Sequence, residues 1–331
     1  MNLEIPASCR AALVDSASRK LVLGSVPVFS PGAGEILIKV SAMGGNRLDI
    51  DQKKGNYRLP EGASPVLGLE AAGTVAAVGE GVSRYKTGDR VMALMNGGAY
   101  AEYAVSPEET TLPIPPLMSF EEAAAVPEAY LTVWSNVFMD AKLKAGEVLL
   151  VHGGASGVGS ATIQTAKSFG AVVIATAGSD EKVRFCLELG ADCAINDREK
   201  DFETEALKFL GARRVDVVFD WIGPQYLQKH LSLLGRRGRL VFIDSRSEGS
   251  LSIDPGFIMR KNLIITGSLL RPKPLEEKRA IALEVENRLL PKLASGELLP
   301  RVFRGFPLAR AEEAHCVMES GKSLGKIVLT V

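Results

Sequence analysis

The sequence predicts an α/β protein in which a doubly wound parallel sheet is inserted into a β-rich domain, and three observations carry that prediction. First, the apolar stretch VLLV at 148–151 runs into a glycine-rich turn, a helical stretch (GVGSATIQTAKSFG) and a second apolar strand (AVVIATA, 171–177), which together make a βαβ unit. Second, strand and helix patterns keep alternating through VDVVFDWIG, QYLQKHLSLL, GRLVFID and NLIITGSLL. Third, residues 10–110 contain only short apolar or alternating runs broken by glycine and proline. At 331 residues the chain exceeds the size at which a single hydrophobic core keeps growing, so two domains are expected.

Taken in order, RAALV, ILIKVSA, AAGTVAAVG, GDRVMAL and AYAEYAV read as strands of an irregular, barrel-like first domain. Ser119 and Glu122 have the spacing of a capping box, so EAAAVPEAYLTVWSNVF is a helix-rich connection toward the βαβ unit. The last sixty residues hold a long helix (LEEKRAIALEVENRLLPKLASG), a short amphipathic helix (ARAEEAHCVMESG) and a final strand (GKIVLTV) that returns to the first domain. The divisions fall at 1–127, 128–267 and 268–331. Gly321, Lys322 and Ser323 resemble the end of a phosphate-binding loop, but Cys316 stands where that loop needs its earlier glycine, and no strand precedes it.

Basic and acidic residues balance at 39 each, and runs such as Glu276-Glu277-Lys278-Arg279 mix signs, so no basic stripe for nucleic acid is present and no nucleic-acid partner is expected. The amino terminus has charges and no long apolar core, and no stretch of about 18 apolar residues occurs, so no membrane association is expected and the expected location is cytoplasmic. The four cysteines are scattered and read as small apolar groups or incidental thiols. His152 ends a buried strand and reads as a backbone-bonded residue, while His230 and His315 lie in helical patterns and read as surface residues, so no histidine site is expected.

The glycine turn is the clearest functional signal. Glycines permit positive φ and let backbone N–H groups approach a pyrophosphate, toward which the next helix points its positive end. Gly154, Ser156 and Gly159 occupy the three fingerprint positions, with Gly157 and Val158 between them, and Ser156 puts a Cβ where glycine is usual. A carboxylate just after the second strand would select NADH by accepting from the ribose 2′-OH. Here Ala177 is followed by Gly178, Ser179 and Lys182, a hydroxyl and an ammonium suited to a 2′-phosphate, so NADPH is the expected cofactor. Asp180 and Glu181 oppose that preference, and Lys182 read alone is equally a solvated lysine at a helix start.

In combination, the segments NRLDIDQKKGNY (46–57), PVLGLEAAGTVAAVGEGV (65–82), KTGDRVMAL (86–94), AAAVPEAYLTVW (123–134), VHGGASGVG (151–159), AGSDEK (177–182) and GKIVL (325–329) resemble the zinc-free quinone oxidoreductases of the medium-chain dehydrogenase/reductase superfamily, the group that includes zeta-crystallin. The resemblance covers essentially the whole chain. It implies a Rossmann domain inserted into a GroES-like catalytic domain. Zinc-dependent members carry an early cysteine, a Gly-His-Glu segment and a four-cysteine lobe; here Gly44 and Gly45 lie near the cysteine position, Gly68-Leu69-Glu70 has lost the histidine, and no cysteine cluster exists. No metal is therefore expected.

The implied reaction is hydride transfer from NADPH to a quinone, with an enoyl or 2-alkenal reductase as the enzymatic alternative and an NADPH-binding structural or RNA-binding protein of low activity as the non-enzymatic one. By resemblance, Asn46, Asp49, Gln52 and Tyr57 form the substrate and nicotinamide wall, with Asn46, Asp49 and Tyr57 catalytic and the Asn46 amide and Tyr57 hydroxyl donating to the reduced oxygen. From the residues themselves, Asn46 and Asp49 are equally turn or helix-cap residues. Further implied cofactor contacts are Thr132, Ile222, Phe242, Ile243, Leu269, Leu270 and Lys326. Asp197 stands where related reductases often place a tyrosine by the 2′-phosphate, a departure that weakens NADPH selectivity unless Arg198 compensates. The strand NLIITGSLL is the expected edge for a homodimer.

Overall fold

The computed structural model describes residues 5–245 and 252–331; the first four residues of the amino-terminal segment lie outside it. The chain forms two compact units, one of residues 1–131 and 271–331 and one of residues 132–270, where the sequence reading divides it at 127 and 267.

The first unit opens with β1 (Ser8–Val14) and β2 (Leu21–Pro27), an antiparallel pair. Next come β3 (Glu35–Gly45), α1 (Arg47–Lys54), β4 (Glu70–Val78), β5 (Arg90–Leu94), β6 (Tyr103–Pro107) and β7 (Thr111–Pro113). The expected connection is broken in two, α2 (Phe120–Ala123) and α3 (Pro127–Val133). Its start is as read: Ser119 Oγ accepts from Glu122 N, and the Glu122 carboxylate accepts from Ser119 N. The break precedes Pro127, which has no N–H to continue α2 and starts α3 instead.

In the second unit, β8 (Val148–Val151), α4 (Gly157–Ser168), β9 (Val172–Ala177), α5 (Asp180–Glu188), β10 (Cys193–Asn196), α6 (Phe202–Leu210), β11 (Val215–Asp220), α7 (Leu227–Leu233), β12 (Leu234–Phe242), α8 (Pro255–Lys261) and β13 (Ile264–Gly267) follow in strict alternation. Their six strands form one sheet in the order β10-β9-β8-β11-β12-β13, all pairs parallel. All four residues of β8 are buried, because helices cover both faces of such a sheet and the strand must be apolar throughout. The order reverses between β9 and β11 around β8, and in this architecture ligands gather at that reversal, at the carboxyl ends of the strands.

The returning segment adds α9 (Leu275–Arg288), α10 (Leu290–Ala294), β14 (Val302–Pro307), α11 (Ala311–Glu319) and β15 (Lys326–Thr330) to the first unit. The long helix expected here is broken before Pro291, which lies in the first turn of α10. The sheet runs β14-β15-β3-β4-β5-β7, with β6 also on β3. Thus β3 is flanked by β15 on one side and β4 on the other, with Gly45 opposite Ile327 and Met43 opposite Ala71. That register brings the first residues of β15 and β4, Lys326 and Glu70, to the last turn of β3. Everything at the candidate active site of this unit follows from that meeting.

Candidate active site

Glu70 is fully buried, and its carboxylate is met from three directions. Lys326 Nζ donates to Oε1, Asn46 Nδ2 donates to Oε1 at 2.8 Å, and the backbone N–H of Glu128 donates to Oε2 at 2.8 Å. Lys326 also donates to Asn46 Oδ1 at 2.6 Å. Gly44 makes the room: a Cβ there would lie 2.2 Å from Glu70 Oε1 and 2.5 Å from the Ala124 carbonyl. Gly44 therefore has a steric reason, which the sequence alone did not display.

Asn46 is the N-cap of α1. Its amide nitrogen is already committed to Glu70 and, at 3.4 Å, to the Gly44 carbonyl, so the expected donation to a reduced oxygen competes with an existing bond. Asp49 faces inward. One oxygen accepts from Asn46 N at 2.8 Å and from Tyr100 Oη at 3.2 Å, the other from Gly68 N at 3.0 Å. Burial raises this carboxyl to about 6, with those N–H donors and Lys326 opposing. Glu128, at the start of α3, is raised to about 7 by burial and then by the Glu70 charge, so it titrates near neutral pH. Tyr57 is half-buried, with the Arg271 guanidinium 5.1 Å from its ring centre; burial raises its phenol, which stays a donor.

The second unit presents the glycine turn. Gly153 takes φ +53 against the Trp221 ring, the N–H of Gly154 donates to the Thr176 carbonyl at 2.8 Å, and Ser156 caps α4 by accepting from Gly159 N at 3.0 Å. The serine in the middle position thus has a capping role. Gly157 and Val158 form the first turn of α4. Gly159 has no alternative, since a Cβ there would lie 2.3 Å from the Gly153 carbonyl. The turn fits a dinucleotide in its chemistry: free helix N–H groups, a positive helix end and backbone without side chains.

Beyond β9, Ser179 caps α5, and a Cβ on Gly178 would lie 3.0 Å from Arg198 Nε. Lys182 is close enough to Arg198 for that charge, after burial, to lower its ammonium. Arg198 therefore stands beside Gly178, with Lys182 near enough to feel its charge. Asp197 lies near the Tyr226 hydroxyl, whose phenol is raised by burial and then by that carboxylate. Thr132 is buried with its carbonyl accepting from Asn136 Nδ2, and Ile222 N donates to Asp220 Oδ1 at 2.7 Å. Phe242 and Ile243 lie at the end of β12; Leu270 is buried, whereas Leu269 is exposed.

The histidines correct the sequence reading. His230 and His315 are fully buried, not on the surface. His230 Nε2 lies 2.8 Å from His152 Nε2, His152 Nδ1 lies 3.0 Å from Thr176 Oγ1, and Asp220 Oδ2 lies 3.9 Å from His230 Nδ1. His152 thus bonds side chains, not backbone, and the group is a polar strut beneath the carboxyl ends of β9, β8 and β11. His315 Nε2 lies 3.1 Å from Tyr100 Oη. Histidine is amphipathic enough to suit either face of a helix, so position in α7 or α11 did not reveal burial.

Burial lowers His230 to about 3 from an ordinary 6.5. A depressed base contributes stability that is complete above the unfolded value and is lost as pH falls toward the folded one. Asp220, raised to about 6 by burial, has the opposite sense: its contribution is lost as pH rises from 3.8 through 6. Between pH 6 and 4, unfolding free energy should therefore fall about 1.4 kcal/mol per pH unit more steeply in the wild type than in His230→Gln. Urea unfolding across that range checks this; parallel curves would show that His230 is not held neutral.

The metal that part of this fold family carries does not fit. Around Glu70 the described groups are carboxylates, an amide, an ammonium and a phenol, with no thiolate, and Leu69 is buried where the resemblance puts a histidine. A cysteine side chain at Gly44 would collide with Glu70. Among the described residues the one group of three metal-type donors is His152, Asp220 and His230 in the other unit.

A parallel sheet with a glycine turn at its strand reversal, inserted into a β-rich unit with a buried polar cluster, defines an oxidoreductase of the medium-chain dehydrogenase/reductase superfamily. Family models agree in each part: an alcohol dehydrogenase GroES-like domain matches residues 32–116 and a zinc-binding dehydrogenase model matches residues 157–285. The chain is 34% identical to a quinone oxidoreductase of Rattus norvegicus over 92% of its own length and 91% of that protein. Among solved structures it is similar to an NAD-dependent alcohol dehydrogenase (31% identity, TM-score 0.86, 97% and 99% of the two chains). It is also similar to the JamJ enoyl reductase (26% identity, TM-score 0.84, 98% and 99%). The chain belongs to the quinone oxidoreductase family of this superfamily, whose members use a nicotinamide cofactor.

Proposed function

We propose that this protein is an NADPH-dependent, zinc-independent quinone oxidoreductase. The observation that carries the reading is the donor set at the head of β3, β4 and β15: an ammonium, an amide and carboxylates, with the Tyr57 phenol nearby, and no described thiolate or imidazole bonded to Glu70. A quinone carbonyl needs no Lewis acid when hydrogen-bond donors meet the charge that develops on its oxygen. The nicotinamide, when bound, supplies the hydride.

In this reading Tyr57 donates to the acceptor oxygen. Asn46 and Asp49 act by holding the start of α1, with Lys326 fixing the Asn46 amide between itself and Glu70. Glu128, raised to about 7, can take up and release a proton near neutral pH. On the second unit the turn from Gly154 to Gly159 takes the pyrophosphate, Gly178, Ser179, Lys182 and Arg198 take the 2′-phosphate, and Thr132, Ile222, Phe242, Ile243, Leu269 and Leu270 are the remaining proposed contacts. Support for NADPH comes from Arg198 beside Gly178 and from Lys182, which feels the Arg198 charge.

A second reading, reduction of a C=C conjugated to a carbonyl, is favoured by the likeness to the JamJ enoyl reductase. Stopped-flow oxidation of NADPH with ortho-quinones, para-quinones and 2-alkenals separates the two. Quinones are expected to turn over; turnover confined to alkenals would move the assignment to the second reading.

We also propose a homodimer formed through β13, the edge of the six-stranded sheet, where Ile264 and Leu269 are both more than half exposed. Light scattering at micromolar concentration should read two chains per particle, and a monomer would remove the idea. A cytoplasmic location suits four free thiols. Among the described residues no helix is long and apolar enough to cross a membrane.

A further inference from the structure

We propose that Arg271 and Lys278 form an anion-binding subsite beside Tyr57, which selects acceptors carrying a carboxylate or sulfonate group. The inference rests on the oxidoreductase reading for its ligand being a hydride acceptor. Its basis is a charge imbalance.

Both side chains are only 4% exposed. Arg271 donates from Nη1 to Gln52 Oε1 at 2.8 Å and from Nη2 and Nε to the Asn96 carbonyl at 2.6 and 3.2 Å. Lys278 donates to Asn96 Oδ1 and to the Arg271 carbonyl, each at 2.6 Å. Every one of these acceptors is a neutral oxygen. Among the described residues no carboxylate comes within 4.0 Å of either cation.

Elsewhere in the same unit a buried lysine has its counter-ion: Lys326 meets Glu70, and Lys53 meets Glu312 at 3.1 Å. A buried charge without a partner is costly, and an anionic ligand offsets that cost. The acidic groups that act on the pair from farther away are Asp49 and Glu128. Glu128, raised to about 7, carries only part of its charge near neutral pH, and neither carboxylate comes within 4.0 Å, which leaves the pair short of negative charge. Burial lowers both Arg271 and Lys278, as expected of cations waiting for an anion.

Donors remain as well. The guanidinium carries five N–H groups and the ammonium three, so the bonds above leave two and one respectively. Tyr57 is half-buried and lies against Arg271, so the guanidinium is next to the phenol that an acceptor would meet. Gln52 and Tyr57 both come from the segment that the family resemblance makes a substrate wall.

The test is equilibrium binding to the NADP⁺-saturated protein, with 2-naphthoate and 2-naphthol as an anionic and a neutral probe of one shape. Calorimetry should give a Kd about 10- to 100-fold lower for the anion in the wild type, the size of one or two charge-assisted hydrogen bonds. Arg271→Gln should bring the ratio near one, and Arg271→Lys should restore part of it. If Arg271→Gln does not fold, Lys278→Gln should lower the ratio in the same sense.

Equal wild-type affinities would overturn the subsite. So would an Arg271→Gln protein that binds NADPH more weakly yet keeps the anion preference, since the charge would then serve the cofactor. Because the measurement needs no turnover, a failure of the quinone assignment leaves its own separate signature, an intact preference with no quinone reduced.

Discussion

Lys326→Met should lower the unfolding free energy by about 3–5 kcal/mol, the cost of leaving a buried carboxylate without its cationic partner. Glu70 is fully buried, and its other two donors, the Asn46 amide and the Glu128 N–H, are neutral. Replacing both partners removes the stranded charge, so Glu70→Leu with Lys326→Met should recover most of the loss. Chemical unfolding of the two single variants and the double variant reads the coupling directly. If the double variant is as unstable as the sum of the singles, the two side chains do not depend on each other. The same substitution frees Asn46 Oδ1, so catalysis should suffer even where the fold survives.

Arg198→Leu should weaken NADPH binding about 10- to 100-fold while changing NADH affinity less than about threefold, because a charge-assisted bond to a phosphate is worth about 1.5–3 kcal/mol and NADH has no 2′-phosphate to lose. Arg198 sits against Gly178, and its charge acts on Lys182. Fluorescence titration with both cofactors checks the prediction. Equal losses for the two would mean that Arg198 supports the loop and not the phosphate.

The parts of the fold that were legible are those where one local pattern decides. The all-apolar β8, the glycines after it and the apolar β9 state a parallel βαβ unit within thirty residues, and the Ser119–Glu122 box is local by nature. The interruptions at Pro127 and Pro291 were equally local, yet the apolar pattern running past each proline hid them. β2 and β14 were missed because most of their residues are exposed or half-buried, with one buried residue each, Leu21 and Phe306, so neither carries a continuous apolar face.

Site residues divide in the same way. Asn46 and Asp49 could be read, as cap residues, from their spacing of three. Glu70 and Lys326 are single charges in apolar runs, LGLEAAG and GKIVLTV, and that incongruity was the available signal. Their pairing was not legible, since they lie 256 residues apart and meet only through the two registers on β3. The His152–His230 contact is likewise a product of sheet order. Lys278 looks like an ordinary surface cation in sequence and Arg271 like a companion of Leu269 and Leu270 beside the nicotinamide; only their burial without a counter-ion joins the two.

The central claim is that hydride moves from NADPH to a quinone with no metal at the acceptor. It is tested most directly by a single-turnover measurement on protein stripped of metal by a chelator, with residual zinc quantified by mass spectrometry. The account predicts that NADPH oxidation by a quinone proceeds at the same rate before and after stripping. Loss of the reaction on stripping, with recovery on adding zinc back, would contradict it.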